Sequence, residues 1–534
     1  MLNRGSLHRR TGASLILKIC LVIFFAVVVV LPLVRMLLYM ANADIVEVLT
    51  SNNFKKATVN TLLVGLITTA ITVPLAYLLA WCMERTNLKW KGLWVVLISL
   101  PMLIPSISQG TGLIILFGAN GVLTNLFNLG GSIYGMHGIV IGEAMYVIPV
   151  AFLMLSDILA YEDSTPYEAA QTLGIPRFRQ FCAITLPFLR RPMVSVIFAV
   201  FSLTITDYGV PLTVGGKVKV LPVLLYEQVI GQLHFAEGSV IGAVLLIPAV
   251  IAFLVDLANR DRGSNAFISR GFDTGDNKRR DILALIPCAA IGIFMLLPVL
   301  AFVVLTFVTN YPIDMSLTMA HIEKTFRVKG DIYLRNSLII STAVGFFGVI
   351  VAMVTAYLST RMVSPTSRLL HLLSITCMAI PGMVLGLSYA LAFKGTIIYG
   401  TLAILIMVNM VHFFASPYLM FYNTMNSLNE HLEAVGLTLG VSRPRIFRDV
   451  IMPQCISTIL ETFSYFFVNS MITISAVVFL SNTFTKPVSL LIAQYEAQSA
   501  FLGCTAFVSL MILGCNLVLK AAVFLIKRAI NRSN

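Results

Sequence analysis

Apolar residues run through this chain in long blocks, and the breaks between blocks are short and polar. Runs of 18 or more apolar residues read as membrane spans, because a hydrocarbon core of about 30 Å takes about 20 helical residues to cross. Twelve such blocks can be placed, six in each half of the chain. They lie near 15–40, 58–82, 93–118, 136–157, 193–213 and 239–258, and then near 282–308, 336–360, 370–393, 397–421, 456–480 and 499–526. Each block is predicted to be helical, since lipid offers no partner to an open backbone N–H or C=O. The first block ends in Ala41-Asn42-Ala43, which imitates a signal-peptide cleavage site. Its apolar stretch is far longer than a signal h-region of roughly 7–15 residues, so it is expected to persist as an uncleaved first helix.

The blocks repeat. Asn60-Thr61-Leu62 opens the second and Asn336-Ser337-Leu338 the eighth, 276 residues on, and both close on Ala-Tyr-Leu, at 76–78 and 356–358. Pro105 and Gly110 recur at that shift as Pro381 and Gly386. The Thr-Leu-Gly at 172–174 recurs at 438–440, and Pro187 as Pro453, both shifted by 266. Two six-helix repeats are therefore expected, 1–258 and 282–534, joined by the polar, Gly-, Asp- and Arg-rich linker 259–281. Six spans bring each repeat back to its starting side, so the copies share orientation. Their pseudo-twofold axis then runs along the membrane normal, with a pathway between them.

Composition agrees with this reading and removes others. Of 534 residues, 58% are hydrophobic and 11% charged, which places the chain among polytopic membrane proteins. The net charge of +13 invites a nucleic-acid partner, but 26 of the 37 Lys and Arg fall on one side of the predicted topology. By the positive-inside rule that side is cytoplasmic and holds both termini, and no nucleic-acid partner is implied. The eight cysteines form no CxxC pair and the seven histidines no HxxxH pair, so neither a disulfide frame nor a metal site is indicated.

The most informative polar break lies between the fourth and fifth blocks: STPYEAAQTLGIPRFRQFCAITLP, residues 164–187. Thr165 is placed to cap a helix, with Pro166 at its first position and Glu168 closing a capping box. Gly174 then stops that helix, because glycine enters the left-handed conformation without steric cost. Pro176 starts a second short helix on which Phe178, Phe181 and Ile184 share a face. A helix–glycine–helix this small spans nothing, so its apolar face is expected to dock on a partner.

At these residues the chain resembles the permeases of ATP-binding-cassette importers. Their signature in this loop is EAA, three residues, Gly, nine residues, Ile, one residue, Leu-Pro, and Glu168, Ala169, Ala170, Gly174, Ile184, Leu186 and Pro187 match it, with Phe181 inside. The second copy, HLEAVGLTLGVSRPRIFRDVIMP at 431–453, is eroded. Glu433 stands one place early, Ala434 occupies the consensus acid position, and Val450 and Met452 replace Ile and Leu. Gly440, Phe447 and Pro453 are kept, and Ser442 is placed to cap the second helix. The resemblance implies an all-α type I importer permease in a bacterial inner membrane, with these loops seated on two copies of an ATPase subunit. It also implies a periplasmic substrate-binding protein. For Glu168, completing its own capping box is the alternative to an ATPase contact, and the two are compatible. Arg177, Arg179, Arg443, Arg445 and Arg448 read first as topology determinants.

No ATP site is expected in the chain. A P-loop needs GxxxxGK[ST] after a strand, and the nearest fragment, Gly215-Gly216-Lys217-Val218, lacks the Ser or Thr. ATP and Mg are assigned to the partner ATPase, and this chain is read as a transport subunit rather than an enzyme. FGANG (117–121), SIYG (132–135), ITDYGVPLTVGG (205–216) and NSMITISAVVFL (469–480) resemble fused permeases assigned to 2-aminoethylphosphonate import, with fused ferric-iron permeases the alternative. Ionisable residues within spans are costly and default to functional hypotheses. Glu143, Asp207 with Tyr208, and His412 are therefore pathway candidates, and Glu461 invites the same question. Glu143 and His412 occupy nearly equivalent repeat positions and either face each other across the axis or bond neighbouring helices. A twelve-helix secondary transporter shares the two-repeat plan, but its Gly-Asp-Arg-rich loop is not found in CMERTNLKWKG, 82–92. Neither an enzyme's nucleophile–base cluster nor a channel's repeated filter is visible.

Overall fold

The computed structural model describes residues 4–128, 130–259, 272, 274–429, 431–496 and 501–533. Most of the expected linker lies outside the described residues. Helix dominates, and strand among the described residues is confined to an antiparallel hairpin, Val308–Asn310 with Asp314–Leu317. The first half runs α1 (Arg4–Phe25), a π turn (Ala26–Val30), α2 (Leu31–Tyr39), α3 (Asn52–Glu84), α4 (Ser106–Phe117), α5 (Met136–Ala160), α6 (Thr165–Thr172), α7 (Leu186–Thr206) and α8 (Phe235–Asn259). The second runs α9 (Lys278–Phe307), α10 (Gly330–Thr360), α11 (Pro365–Thr376), α12 (Gly382–Phe393), α13 (Leu402–His412), α14 (Ala415–Ser427), α15 (Leu432–Thr438), α16 (Ile456–Ile472) and α17 (Leu502–Ser533). Polar residues just before the apolar blocks start several of these helices by accepting an orphan N–H. Ser51 accepts from Phe54 at 3.2 Å, Asn277 from Arg280 at 3.1 Å and Ser364 from Ser367 at 3.2 Å.

Among the described residues nine helices are long and apolar enough to cross a membrane, and three bent pairs bring the spans to twelve if each pair counts as one. The sharpest bend falls at a residue that the repeat marked. Pro381 lies at a 110° break between α11 and α12, and its repeat partner Pro105 starts α4 after a short helix, Lys91–Ser99. The predicted blocks 93–118 and 370–393 are therefore each two helices. Proline cannot extend the incoming helix, so carbonyls at the break are freed. Gln109 donates to Pro101 C=O at 3.0 Å, and Asn516 of the second half donates to Leu103 C=O at 2.9 Å. The fifth block also differs from its expected bounds. Helix α7 ends at Thr206, and Gly209–Val214 is a separate short helix folded back on α4.

The Asn-Thr-Leu and Asn-Ser-Leu motifs do the same job in both halves. Asn60 donates to Lys219 C=O at 2.9 Å while Thr61 accepts from Leu221 N–H at 2.8 Å. Asn336 donates to Phe484 C=O at 2.8 Å while Ser337 accepts from Val488 N–H at 2.8 Å. Each pair pins the segment leading into the last helix of its half.

The first helices are exchanged. α1 packs on α11 and α2 on α12, both in the second half, whereas α9 packs on α3 and α4 in the first. Polar anchors hold this exchange. Lys18 is 5% exposed and donates to Met362 C=O at 2.5 Å and to Ser364 at 3.1 Å. The π turn in the first span frees a carbonyl, and Tyr389 of α12 donates to it, Val28 C=O, at 2.6 Å. One continuous apolar core includes residues of both halves.

Candidate functional site

Two features stand out: a pair of loops at the basic end of the bundle, where Arg85 and Arg361 end α3 and α10, and a polar lane within it. In the first loop α6 begins at Thr165, one residue before the expected Pro166, and Ser164 rather than Thr165 holds the cap position. Asp163 accepts from Thr165 N–H at 3.0 Å and hydroxyl at 2.7 Å, and Ser164 donates to Glu168 at 3.1 Å. Gly174 has φ +69°, with Ile175 N–H bonded to Ala170 C=O at 2.9 Å, the closing bond of a Schellman turn. Gly440 repeats this at φ +75°, with Val441 N–H on Gly436 C=O at 2.9 Å.

The expected second helix is shorter. Arg177–Gln180 runs into a π turn, Phe181–Thr185, and on into α7. In the second loop Arg443–Ile446 runs into a π turn at Phe447–Ile451. Pro187 and Pro453 follow two residues after these turns. A proline ring clashes with the carbonyl four residues back, and the wider π turn relieves that clash. Ser442 stands at the N-cap position, but its hydroxyl makes no cap bond.

Each loop offers apolar surface away from the bundle. Leu173 and Phe178 are 77% and 78% exposed and Leu439 is 75% exposed, while Phe181 and Val435 are also exposed. Ala169 and Ala434 are exposed and small, Ala170 is buried, and Ile184 and Val450 are half-buried. The two acids differ. Glu168 is exposed beside Ser164, whereas Glu433 turns inward to Arg361 at 3.6 Å, with both side chains largely buried. Tyr167, on the inner side of α6, donates to Glu162 at 2.5 Å, and burial together with that bond pushes its phenol above the ordinary range.

The lane is built from α5 and α16, one from each half. Along α5, Tyr146, Val150, Met154 and Asp157 are partly or fully exposed on a helix otherwise mostly buried. Along α16, Ser457, Glu461, Tyr465 and Asn469 form the matching stripe at four-residue spacing. The two stripes approach: Tyr146 lies within electrostatic reach of Tyr465, and Asp157 of Glu461, which also pairs with Lys527. Sequence reasoning singled out Glu461 but not Tyr146, Asp157 or Tyr465. Their three- and four-residue steps along α5 and α16 were the signal available.

Above the lane sit the candidates. Glu143 is fully buried, and among the described atoms Asp207 is the polar group set against its carboxyl. Asp207 accepts from Ser106 at 2.6 Å and from Val210 N–H at 3.0 Å. His412 is the counterpart in the second half, held against Phe413 with ring centroids 4.5 Å apart and its Nδ1 buried without a partner among the described residues. Glu143 is set against Asp207, and His412 lies against Gly382 of α12, so each faces its own half rather than the other. Tyr208 is buried and stacked on Tyr226, 5.5 Å between centroids, so it packs behind the lane rather than lining it.

The family described as "Binding-protein-dependent transport system inner membrane component" matches twice, over residues 72–260 and 345–532. Two proteins named as ferric transport system permeases, FbpB 1 of Haemophilus influenzae and FbpB of Actinobacillus pleuropneumoniae, are each 25% identical to this chain. Their alignments cover 89% and 88% of this chain and 78% and 72% of theirs. The molybdenum transport system permease ModB of Azotobacter vinelandii is 23% identical over 38% of this chain and 92% of its own. With both repeats of the helical bundle matched, the chain belongs to the family of inner membrane components of binding-protein-dependent transport systems, as a fused, two-repeat permease of the ABC importer type.

Proposed function

We propose that the chain is the translocating subunit of an ATP-driven importer, with both termini and both loops cytoplasmic. Two copies of a separate ATPase, which carries the ATP and Mg, dock on the loops 164–187 and 431–453. A periplasmic binding protein delivers cargo at the opposite end, and cargo passes between the repeats 1–258 and 282–534. The observation that carries this reading is the twin helix–glycine–π-turn element, presented with exposed apolar side chains at the same end of both repeats. Drawing the loops together moves α7 directly, because the first π turn runs on into that span, whereas the second loop reaches α16 through a 76° bend at Cys455.

The lane favours a cargo carrying positive charge. Glu143 and Asp207 lie together above it, and Asp157 follows along it with Glu461, whose carboxylate is paired with Lys527. Ferric iron, free or chelated, is the first reading, and it rests on the names of the two long relatives, since no cluster of three metal-ligating side chains is found among the described residues. The second reading is 2-aminoethylphosphonate, whose ammonium suits Asp207 within the motif 205–216 that resembles those permeases. Proteoliposomes holding the chain with its ATPase and binding protein decide the matter. Uptake is expected to stop when the ATPase loses hydrolysis, and uptake driven by a proton gradient without the ATPase would refute the reading. Competition of ferric citrate against 2-aminoethylphosphonate identifies the cargo. The double variant Gly174→Pro/Gly440→Pro is expected to lose both ATPase association and uptake.

A further inference from the structure

Arg85 and Arg361 are repeat partners, 276 residues apart, and each ends the long second helix of its half. Both guanidinium groups reach across to the last carbonyls of the span that leads into a loop. Arg85 donates to Leu159 C=O at 2.9 Å, and Arg361 donates to Met425 C=O at 2.6 Å and Leu428 C=O at 2.9 Å. A fixed cation there satisfies orphan carbonyls and complements the negative end of the helix. Each also meets a shielded acid: Arg85 meets Glu162 at 2.6 Å and Arg361 meets Glu433 at 3.6 Å, with side-chain exposures of 12% and 4%, and 10% and 14%.

The two acids come from different places. Glu162 precedes α6 and hands its second oxygen to Tyr167, which continues to Thr185 at the start of α7. Glu433 lies within α15 itself. The first clamp therefore grips its loop through a tyrosine, and the second grips its loop directly. A further piece joins the first clamp only. Phe272, from the segment between the halves, sits 3.7 Å beneath the Arg85 guanidinium and edge-on to Tyr167 at 5.0 Å.

We propose that Arg85 and Arg361 are positioning residues that fasten each loop to the second and fourth spans of its half, and that Glu433 serves this clamp rather than an ATPase contact. This rests on the coupling role given to the loops above. Each guanidinium ties three elements at one point, so movement of the loop is passed to two spans at once. The eroded second motif follows from this: an acid one place early faces the bundle, and Ala434 is left on the docking face.

The test uses the complete transporter in proteoliposomes, measuring solute taken up per ATP hydrolysed and the ATPase copies retained on purification. Arg361→Met and the shape-preserving Glu433→Gln are both expected to lower uptake per ATP about tenfold, the size of an ordinary coupling energy, with two ATPase copies still bound. The exchange Arg361→Glu/Glu433→Arg is expected to recover most of the ratio. Uptake and hydrolysis falling in parallel at the wild-type ratio would overturn the clamp. So would loss of an ATPase copy from Glu433→Gln, which would return that residue to the docking face. A wild-type transporter without ATP-dependent uptake would instead overturn the functional reading beneath it.

Discussion

Gly110 and Gly386 occupy the points where α4 and α12 approach the segment that follows the fifth span of each half. A methyl group on Gly386 would stand 2.6 Å from Ala476 C=O, a backbone atom that cannot swing aside. On Gly110 it would meet the Thr213 hydroxyl at 1.8 Å. Overpacking of this kind costs about 1–3 kcal/mol, so Gly386→Ala is expected to lower the thermal midpoint in detergent. Gly514 provides the contrast: nothing lies within 4 Å of its methyl position, on a long helix. There Ala is expected to be neutral or to stabilise by up to about 1 kcal/mol through helix propensity. Equal shifts for the two variants would show that close approach is not what requires glycine at 386. The repeat signal thus marked residues with a mechanical reason to persist, and each of Asn60, Pro105, Gly110 and Gly174 acquires one in the structure. Glu143 and His412 were visible as costly residues, but the group set against Glu143 was not. Asp207 lies 64 positions from Glu143 in the sequence, and no local pattern joins them.

Helix by helix, the length of the apolar runs predicted twelve spans, which the nine long helices and three bent pairs among the described residues match, with the ends of several misplaced. The block near 370–393 is continuously apolar through Ile380-Pro381, so hydropathy runs straight across a turn of 110°. Pro381 was the available mark of that break, read first as a repeat landmark. The π turn in the first span left no mark at all in AVVVV. Its cause is tertiary: Val28 C=O is taken by the Tyr389 hydroxyl at 2.6 Å. Tyr389→Phe keeps the ring and removes the donor, leaving a carbonyl buried without a partner. A loss of about 1–3 kcal/mol is expected, read as a lower midpoint for the whole bundle. The matching test is local. Hydrogen exchange should rise in residues 26–32 when the phenol is removed, and unchanged protection there would show that the π turn does not depend on Tyr389.

At the scale of the molecule, the exchanged first helices change what a half of this protein is. Sequence divides the chain at its linker, yet α1 and α2 lie against α11 and α12, and α9 lies against α3 and α4. Lys18 is buried against Met362 and Ser364, and Asn516 bonds Leu103 across the same boundary. A cut in the linker would sever the chain without removing any of these contacts. A protease site inserted at 263–268, cleaved after membrane insertion, is therefore expected to leave two fragments that purify together through a tag on either one. Deleting residues 1–43 before cleavage is expected to weaken that association, because α11 and α12 lose the apolar cover that α1 and α2 provide. Each of those helices would then expose to lipid, or to its neighbours, a surface shaped for another helix. Fragments that separate on cleavage would mean the linker, and not the exchange, holds the repeats in register. The same arrangement bears on transport. α1 and α2 lie against the second half and α9 against the first, so movement of either half in the proposed transport cycle carries along a helix packed on the other.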